Sequence, residues 1–293
     1  MVCGNRMAWW PAVTWMLRQR VITALVMAGL FLAGIIFLPL PALAAAFGLV
    51  VVGGAWEWSR LAGWQSPFSR GVYVAVLAAS LGGLYHYCQL GGDPGREQVQ
   101  PFLGMACLWW SFALLWVKSY PVSAVLWRTI FMRSLMGLLI LAPAWLAAVF
   151  LLSYPRGGLL VVVMVLVVAT ADIGAYFSGK AWGQHKLAEK VSPAKTWEGF
   201  WGGMAACALL ALLLWYLLPD RVAHIGLASV LAVTLSTALA SVVGDLSVSM
   251  VKRESGVKDS GSLLPGHGGV LDRLDSICGA APVFALGLVL AGW

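Results

Sequence analysis

The residues able to do chemistry concentrate in one run, Ser249 to Asp275, which reads SMVKRESGVKDSGSLLPGHGGVLDRLD. Four basic residues, four acidic residues, one histidine and five glycines sit there, in a chain that is 61% hydrophobic and 11% charged. Two more carboxylates, Asp172 and Asp245, lie inside or at the ends of long apolar runs, VVVMVLVVATAD and ASVVGD. An ionised side chain in such a place costs roughly 2.5–3.5 kcal/mol on insertion scales unless a partner offsets it. A salt bridge to a neighbouring lysine would serve. A bound cation or charged substrate accounts better for two such residues beside the same polar segments.

Spacing sharpens this chemistry. Asp245, Ser249 and Lys252 fall at i, i+4 and i+7, on one face of a helix. Asp272 and Asp275 fall at i and i+3 after Gly266-His267-Gly268-Gly269, on the opening turns of a last helix, so Asp245 and Asp272 can face one another. Magnesium takes one or two carboxylates and completes its shell with water and phosphate oxygens. Asp245 and Asp272 suit that demand, with Asp172 and Asp275 as further ligand candidates. Lys252, Arg253, Lys258 and Arg273 offset the charge of a triphosphate brought up to a second phosphate. Gly268 and Gly269 leave room for backbone N–H groups to approach phosphate oxygens. His267 is either a hydrogen-bonded structural residue or a group that contacts phosphate. The run GAYFSGKA (Gly174–Ala181) has P-loop spacing, but Ala181 stands where the magnesium-binding hydroxyl belongs, and the run closes an apolar helix instead of following a strand.

Membrane helices must position these groups. A mean hydropathy of +0.86 over 293 residues excludes a soluble single-core domain. A span needs roughly 20 apolar residues, and the apolar runs here are continuous rather than alternating, which favours helices over a barrel. The prediction is an all-α integral membrane protein, a polytopic bundle of about nine transmembrane helices centred near residues 30, 48, 80, 110, 143, 168, 208, 235 and 285. With the N-terminus in the cytoplasm, 16 of the 19 Lys and Arg fall on the inner side, leaving Arg96, Arg156 and Arg221 outside. The net charge of +7 then describes a cytoplasmic surface that attracts anionic headgroups and nucleotides. No basic patch suits nucleic acid.

The chain divides near residue 155. Residues 1–155 hold about five spans and an interfacial N-terminal segment, with Trp9, Trp10 and Trp15 near Arg18 and Arg20. That segment resembles a signal peptide, with Ala42-Leu43-Ala44 as a cleavage-like pattern, and is expected to be retained as a signal anchor. Residues 156–293 hold about four spans and two long polar segments, Ser178–Thr196 and Lys252–Leu271, expected as cytoplasmic loops. Ser192-Pro193 is read as a helix N-cap followed by Pro at N1. Gly199 and Gly203 have the spacing of close helix packing. His86 and His224 have no partners at ligand spacing, and His185, in the first polar segment, is read as a solvated or headgroup-facing residue. Cys3, Cys88, Cys107, Cys207 and Cys278 form no CxxC pair, which argues against zinc or a disulfide framework.

From Ala171 onward the chain resembles the phosphatidate cytidylyltransferase (CDP-diacylglycerol synthase) family. The resemblance rests on Ser249-Met-Val-Lys252-Arg253, Lys258-Asp259, and Leu264-Pro-Gly-His267-Gly268-Gly269-Val-Leu-Asp272-Arg273-Leu-Asp275. Gly244-Asp245-Leu246, Asp172-Ile-Gly-Ala-Tyr176 and Val191-Ser192-Pro-Ala-Lys195-Thr196-Trp197 extend it. One position departs: Val248 stands where bacterial members often carry Glu, so metal ligation must rest on the aspartates. The resemblance implies that CTP and phosphatidic acid give CDP-diacylglycerol and pyrophosphate with Mg2+, in a multi-pass enzyme of the inner (plasma) membrane whose active site faces the cytoplasm. It also implies an enzyme able to form a homodimer. The displacement accommodates a second cation, K+ being one choice. Lys252, Arg253, Lys258 and Arg273 then contact phosphates, with Asp259 and His267 beside them. Ser192, Lys195 and Thr196, with Ser249, Gly268 and Gly269, complete the substrate pocket. The rival readings lack their marks: a cation-coupled transporter should show inverted repeats, and a CDP-alcohol phosphotransferase should show DGxxAR. A polyprenol kinase is a third reading.

Overall fold

The computed structural model describes residues 10–92, 94–217, 226–261, 263 and 268–292. His267, with Cys3, Arg6, Arg221 and His224, lies outside the described residues. The chain is a helical bundle: α1 (Trp10–Phe37), α2 (Leu40–Ala62), α3 (Pro67–Tyr87), α4 (Arg96–Ser119), the single turn α5 (Ala124–Trp127), α6 (Ile130–Ser153) and α7 (Gly157–Trp182). A two-stranded antiparallel hairpin follows, β1 (Lys186–Ala188) and β2 (Ser192–Thr196). The chain then continues as α8 (Trp197–Leu217), α9 (Leu227–Glu254) and α10 (Leu271–Leu290).

Each predicted span centre falls inside one of these helices. Among the described residues eight helices are long and apolar enough to cross a membrane, α2 to α4 and α6 to α10. The ninth expected span corresponds to α1, whose apolar part, Val21–Phe37, is shorter. Large apolar side chains such as Leu30, Phe68, Leu115 and Leu209 stand on the outer surface, as expected of helices that face hydrocarbon.

Local chemistry sets the helix ends. Gly63, at φ +106°, closes α2 in the left-handed conformation that an L side chain resists. Ser66 opens α3 by accepting Ser69 N–H at 3.0 Å, with Pro67 at the first helical position. Thr129 opens α6 by accepting Met132 N–H at 3.3 Å. The expected cap at Ser192-Pro193 is corrected: both residues lie in β2, and Thr196 opens α8, its Oγ1 accepting Gly199 N–H at 3.1 Å. Pairing with β1 keeps residues 192–196 extended, so the helix starts only where the hairpin ends.

Packing then fixes helix against helix. Trp58, Leu61, Leu103, Ile140, Phe150 and Val248 are buried in one cluster that draws on both halves of the chain. Indole N–H groups find backbone partners inside it: Trp58 donates to Arg133 O at 2.7 Å and Trp145 to Ala44 O at 2.9 Å. Small residues do the rest. A Cβ on Gly199 would lie 2.9 Å from Ala175 O, and one on Gly203 2.7 Å from Ala171 O, so α7 and α8 touch along their backbones, as the spacing of the two glycines predicts. Gly244 and Gly279 do the same for α9 and α10, where a Cβ on Gly279 would run into Ala240 O.

Gly279→Val should therefore lower the thermal midpoint of the detergent-purified protein, at a cost of about 1–3 kcal/mol for overpacking. Gly82→Ala, on α3 with nothing within 4 Å of the added methyl, should not lower it. Equal melting curves for the two variants would show that α9 and α10 are not in backbone contact.

Candidate active site

One end of the bundle gathers the polar chemistry. The C-terminal ends of α2, α4, α7 and α9 meet there with the N-terminal ends of α6, α8 and α10. Cross-links tie these ends together: Arg133 donates to Leu61 O at 3.1 Å, Ser255 Oγ to the same carbonyl at 3.0 Å, and Tyr120 Oη to Glu254 at 3.3 Å. Arg128 pairs with Glu254 at 3.4 Å. Burial, and then the Glu254 carboxylate beside it, push the Tyr120 phenol up.

The helical face predicted for α9 is present. Ser249 Oγ donates to Asp245 Oδ1 at 3.0 Å, and Lys252 lies a turn further along. Asp245 does not meet Asp272 directly; each aspartate holds a lysine. Lys195 Nζ lies 2.7 Å from Asp245 Oδ2, and Lys252 Nζ 2.8 Å from Asp272 Oδ1. Lys252 is 8% exposed, and pairing is what a charge so buried requires. Lys195 arrives on β2. That hairpin is fastened to α9 by Arg253, whose Nε donates to Val191 O at 3.1 Å, and to α8 by the Thr196 cap.

Asp272 is heavily committed. Besides Lys252 it accepts Ser260 N–H at 3.0 Å and Gly269 N–H at 3.0 Å. Gly268 takes φ +81°, and a Cβ there would stand 2.9 Å from Asp272 Oδ2, so glycine is required at that turn. Gly269 thus spends its N–H on a protein carboxylate. Asp275 is 8% exposed and accepts Ser276 N–H at 2.8 Å. It lies in the field of Asp245, Lys252 and Lys195. Asp172, on an exposed face of α7, lies in the field of Lys195 and Asp245. The four predicted aspartates therefore surround two ammonium groups.

Among the described residues no three Asp, Glu, His or Cys side chains stand together at metal-ligating separations. The donor set still suits a hard divalent cation, being carboxylate oxygen throughout. The ammonium of Lys195, 2.7 Å from Asp245, shows that this locus already draws positive charge. Lys258, Asp259 and Arg273 are exposed around it, and Ser192 is half-buried on β2. Between the hairpin and α9 runs a cleft of about 410 Å3, with Lys118, Tyr120 and Lys190 towards its polar end and Leu239, Val242 and Leu246 along α9.

Sequence reasoning missed Glu57. This carboxylate, 3% exposed on α2, accepts Val270 N–H at 3.1 Å, Leu271 N–H at 2.9 Å and Ser260 Oγ–H at 2.9 Å. Arg60, a turn later, donates to Ser260 O. The available signal was an acid between two tryptophans, Trp56 and Trp58, inside an apolar span. His185 was passed over as well: its Nδ1 lies 2.6 Å from Glu198, which also accepts Gln184 N–H at 3.1 Å. That contact seats the hairpin on α8 and lies apart from the lysine–aspartate pairs.

Known proteins are similar to this chain over nearly its whole length. The model of the cytidylyltransferase family matches residues 18–291. A phosphatidate cytidylyltransferase of Pseudomonas aeruginosa is 48% identical over 282 residues, covering 95% of this chain and 99% of that one. Its counterpart in Haemophilus influenzae is 38% identical over 287 residues, 92% of this chain and 98% of that one. One from Brucella suis is 47% identical over 132 residues, 45% of this chain and 47% of its own. With a match running from the first helix to the last, the chain belongs to the cytidylyltransferase family of nucleotidyltransferase enzymes.

Proposed function

We propose that this chain is a magnesium-dependent phosphatidate cytidylyltransferase of phospholipid synthesis, joining CMP from CTP to phosphatidate to give CDP-diacylglycerol and pyrophosphate. The observation that carries the proposal is the pair of lysine–carboxylate contacts, Lys195–Asp245 and Lys252–Asp272, set at one end of a membrane bundle. Relatives that bear this activity's name share nearly the whole chain.

The chemistry needs little from a general base. A phosphatidate oxygen, already ionised at neutral pH, attacks the α-phosphorus of CTP; the bond to the β-phosphate oxygen breaks, and pyrophosphate leaves with the electron pair. What the enzyme must supply is alignment and neutralisation of crowded negative charge. Lys195 and Lys252 each exchange a carboxylate for a phosphate oxygen as the substrates arrive. Arg253, Lys258 and Arg273 hold the outer phosphates at the rim, and catalytic roles for Asp259 and His267 belong to the same proposal. Ser249 keeps Asp245 oriented, and Ser192 with Thr196 keeps β2 in place beneath the nucleotide. Asp272, once turned from Gly269, leaves the N–H groups of Gly268 and Gly269 to phosphate. Asp245 and Asp272 would hold the divalent cation, with Asp172 and Asp275 close by; bound there, it neutralises phosphate oxygens and steadies the leaving group. A second cation such as K+ belongs to the same proposal.

The gathered basic residues support a cytoplasmic site with a cytoplasmic N-terminus, in the inner membrane of a bacterial cell. Residues 156–293 carry most of the chemistry, and residues 1–155 contribute Glu57 and Arg60. The cleft beside the hairpin is suited to the lipid, cationic where a headgroup lies and apolar along α9. Assembly as a homodimer is part of the proposal and is read from the mass of the solubilised particle.

Pyrophosphate release from CTP, phosphatidate and Mg2+ tests the reaction. Asp245→Asn and Asp272→Asn should each lose on the order of 100-fold in turnover, at or above the cost of disturbing a group that orients a metal ligand; both should still fold, Asp272→Asn with a lowered midpoint because it strands the buried Lys252 ammonium. Turnover like the wild type's in either variant removes that residue from the site. Val242→Trp, which fills the cleft, should raise KM for phosphatidate several-fold and leave KM for CTP unchanged; equal effects on both would place the lipid elsewhere.

A further inference from the structure

We infer that Glu57 is a positioning residue for this reaction: from α2 it caps the first turn of α10 and thereby sets where Asp272 stands opposite Lys252. The inference rests on the proposed cytidylyl transfer and adds to it a group far away in sequence. Helix α10 begins without a side-chain cap of its own, Val270 being helical and making no side-chain cap bond. First-turn N–H groups buried at a membrane boundary need acceptors. Glu57 supplies them, taking Val270 N–H on Oε1 and Leu271 N–H on Oε2. A carboxylate there also meets the positive end of the helix dipole.

The same carboxylate reaches the loop from the other side. Oε2 accepts Ser260 Oγ–H at 2.9 Å, while Ser260 N–H donates to Asp272 and Arg60 donates to Ser260 O. Ser260 thus bridges Glu57 and Asp272. Gly261 and Gly269 fold so closely over Glu57 that a Cβ on either would collide with its carboxylate. Among the described residues, the hydrogen bonds of Asp272 other than the one from Lys252 come from a backbone segment that Glu57 clamps. Glu57 touches neither lysine of the site, so it acts through Asp272.

The test uses the full chain in lipid nanodiscs, with turnover, melting and tryptic cleavage after the exposed Lys258 read on the same samples. Glu57→Ala should lower kcat by about 10–100-fold, the usual range for a residue that orients a ligand-bearing group, with KM for CTP within twofold. Glu57→Gln, which keeps both acceptor positions in shape and one as oxygen, should recover part of that loss. Cleavage after Lys258 should quicken in Glu57→Ala at a temperature where both proteins remain folded. A kcat within twofold of wild type in Glu57→Ala overturns the inference, and so does a loss of kcat that Glu57→Gln does not relieve at all. If Glu57→Ala fails to fold, Ser260→Ala decides: it should lower kcat several-fold while folding normally, and unchanged kcat overturns the inference. If the wild type itself does not turn over CTP and phosphatidate, the reaction proposal fails while cleavage after Lys258 still decides the clamp, unchanged cleavage in Glu57→Ala and Ser260→Ala counting against it.

Discussion

A carboxylate and an ammonium held together where water gives way to hydrocarbon is the constraint around which this molecule is arranged. Lys252 and Asp272 are nearly buried, and neither could sit there alone without a large desolvation penalty. Their pairing obliges α9 and α10 to end at the same level and obliges the segment between them to fold back over Asp272. It also demands glycine at 268, where the backbone turns at φ +81° and a Cβ would stand 2.9 Å from Asp272 Oδ2. The Lys195–Asp245 pair repeats the requirement on the neighbouring face and explains why a water-exposed hairpin is tied to α9 through Arg253.

Such pairs also poise a site for anionic substrates. Each carboxylate keeps its lysine ordered, and each lysine keeps its carboxylate affordable in a medium that penalises bare charge. In the proposed reaction, phosphate groups compete for the lysines and a divalent cation for the carboxylates. The two exchanges favour one another, since either alone would strand a charge. The cleft beside the hairpin has cations at one end and an apolar helix face along its length, at the same end of the bundle.

Much of this was legible in the chain. Continuous apolar runs located every long helix, because in lipid the backbone has no alternative partner. The i, i+4, i+7 spacing of Asp245, Ser249 and Lys252 put them on one face, and the order of the motifs brought Asp172, Asp245, Asp272 and Asp275 into one neighbourhood. Other features were hidden for physical reasons. Pairing partners across 50 residues, Lys195 with Asp245, follow from the hairpin, whose three- and five-residue strands carry too little periodicity to read. Glu57 was overlooked because its partners are backbone N–H groups at residues 270 and 271, and backbone has no letter in a sequence. The cap at Thr196 was misplaced to Ser192-Pro193 because local propensity favoured it, and strand pairing overrode the preference.

The contact of α9 with α10 at Gly244 and Gly279 has a mechanical meaning. Where two helices meet through main-chain atoms, no rotamer lies between them to yield, and the interval separating Asp245 from Asp275 is set by van der Waals contact of the two backbones. The two helices must then lean as one rigid unit when the surrounding bilayer thins or thickens. Lipid composition can then tilt the site as a whole without prising its carboxylates apart.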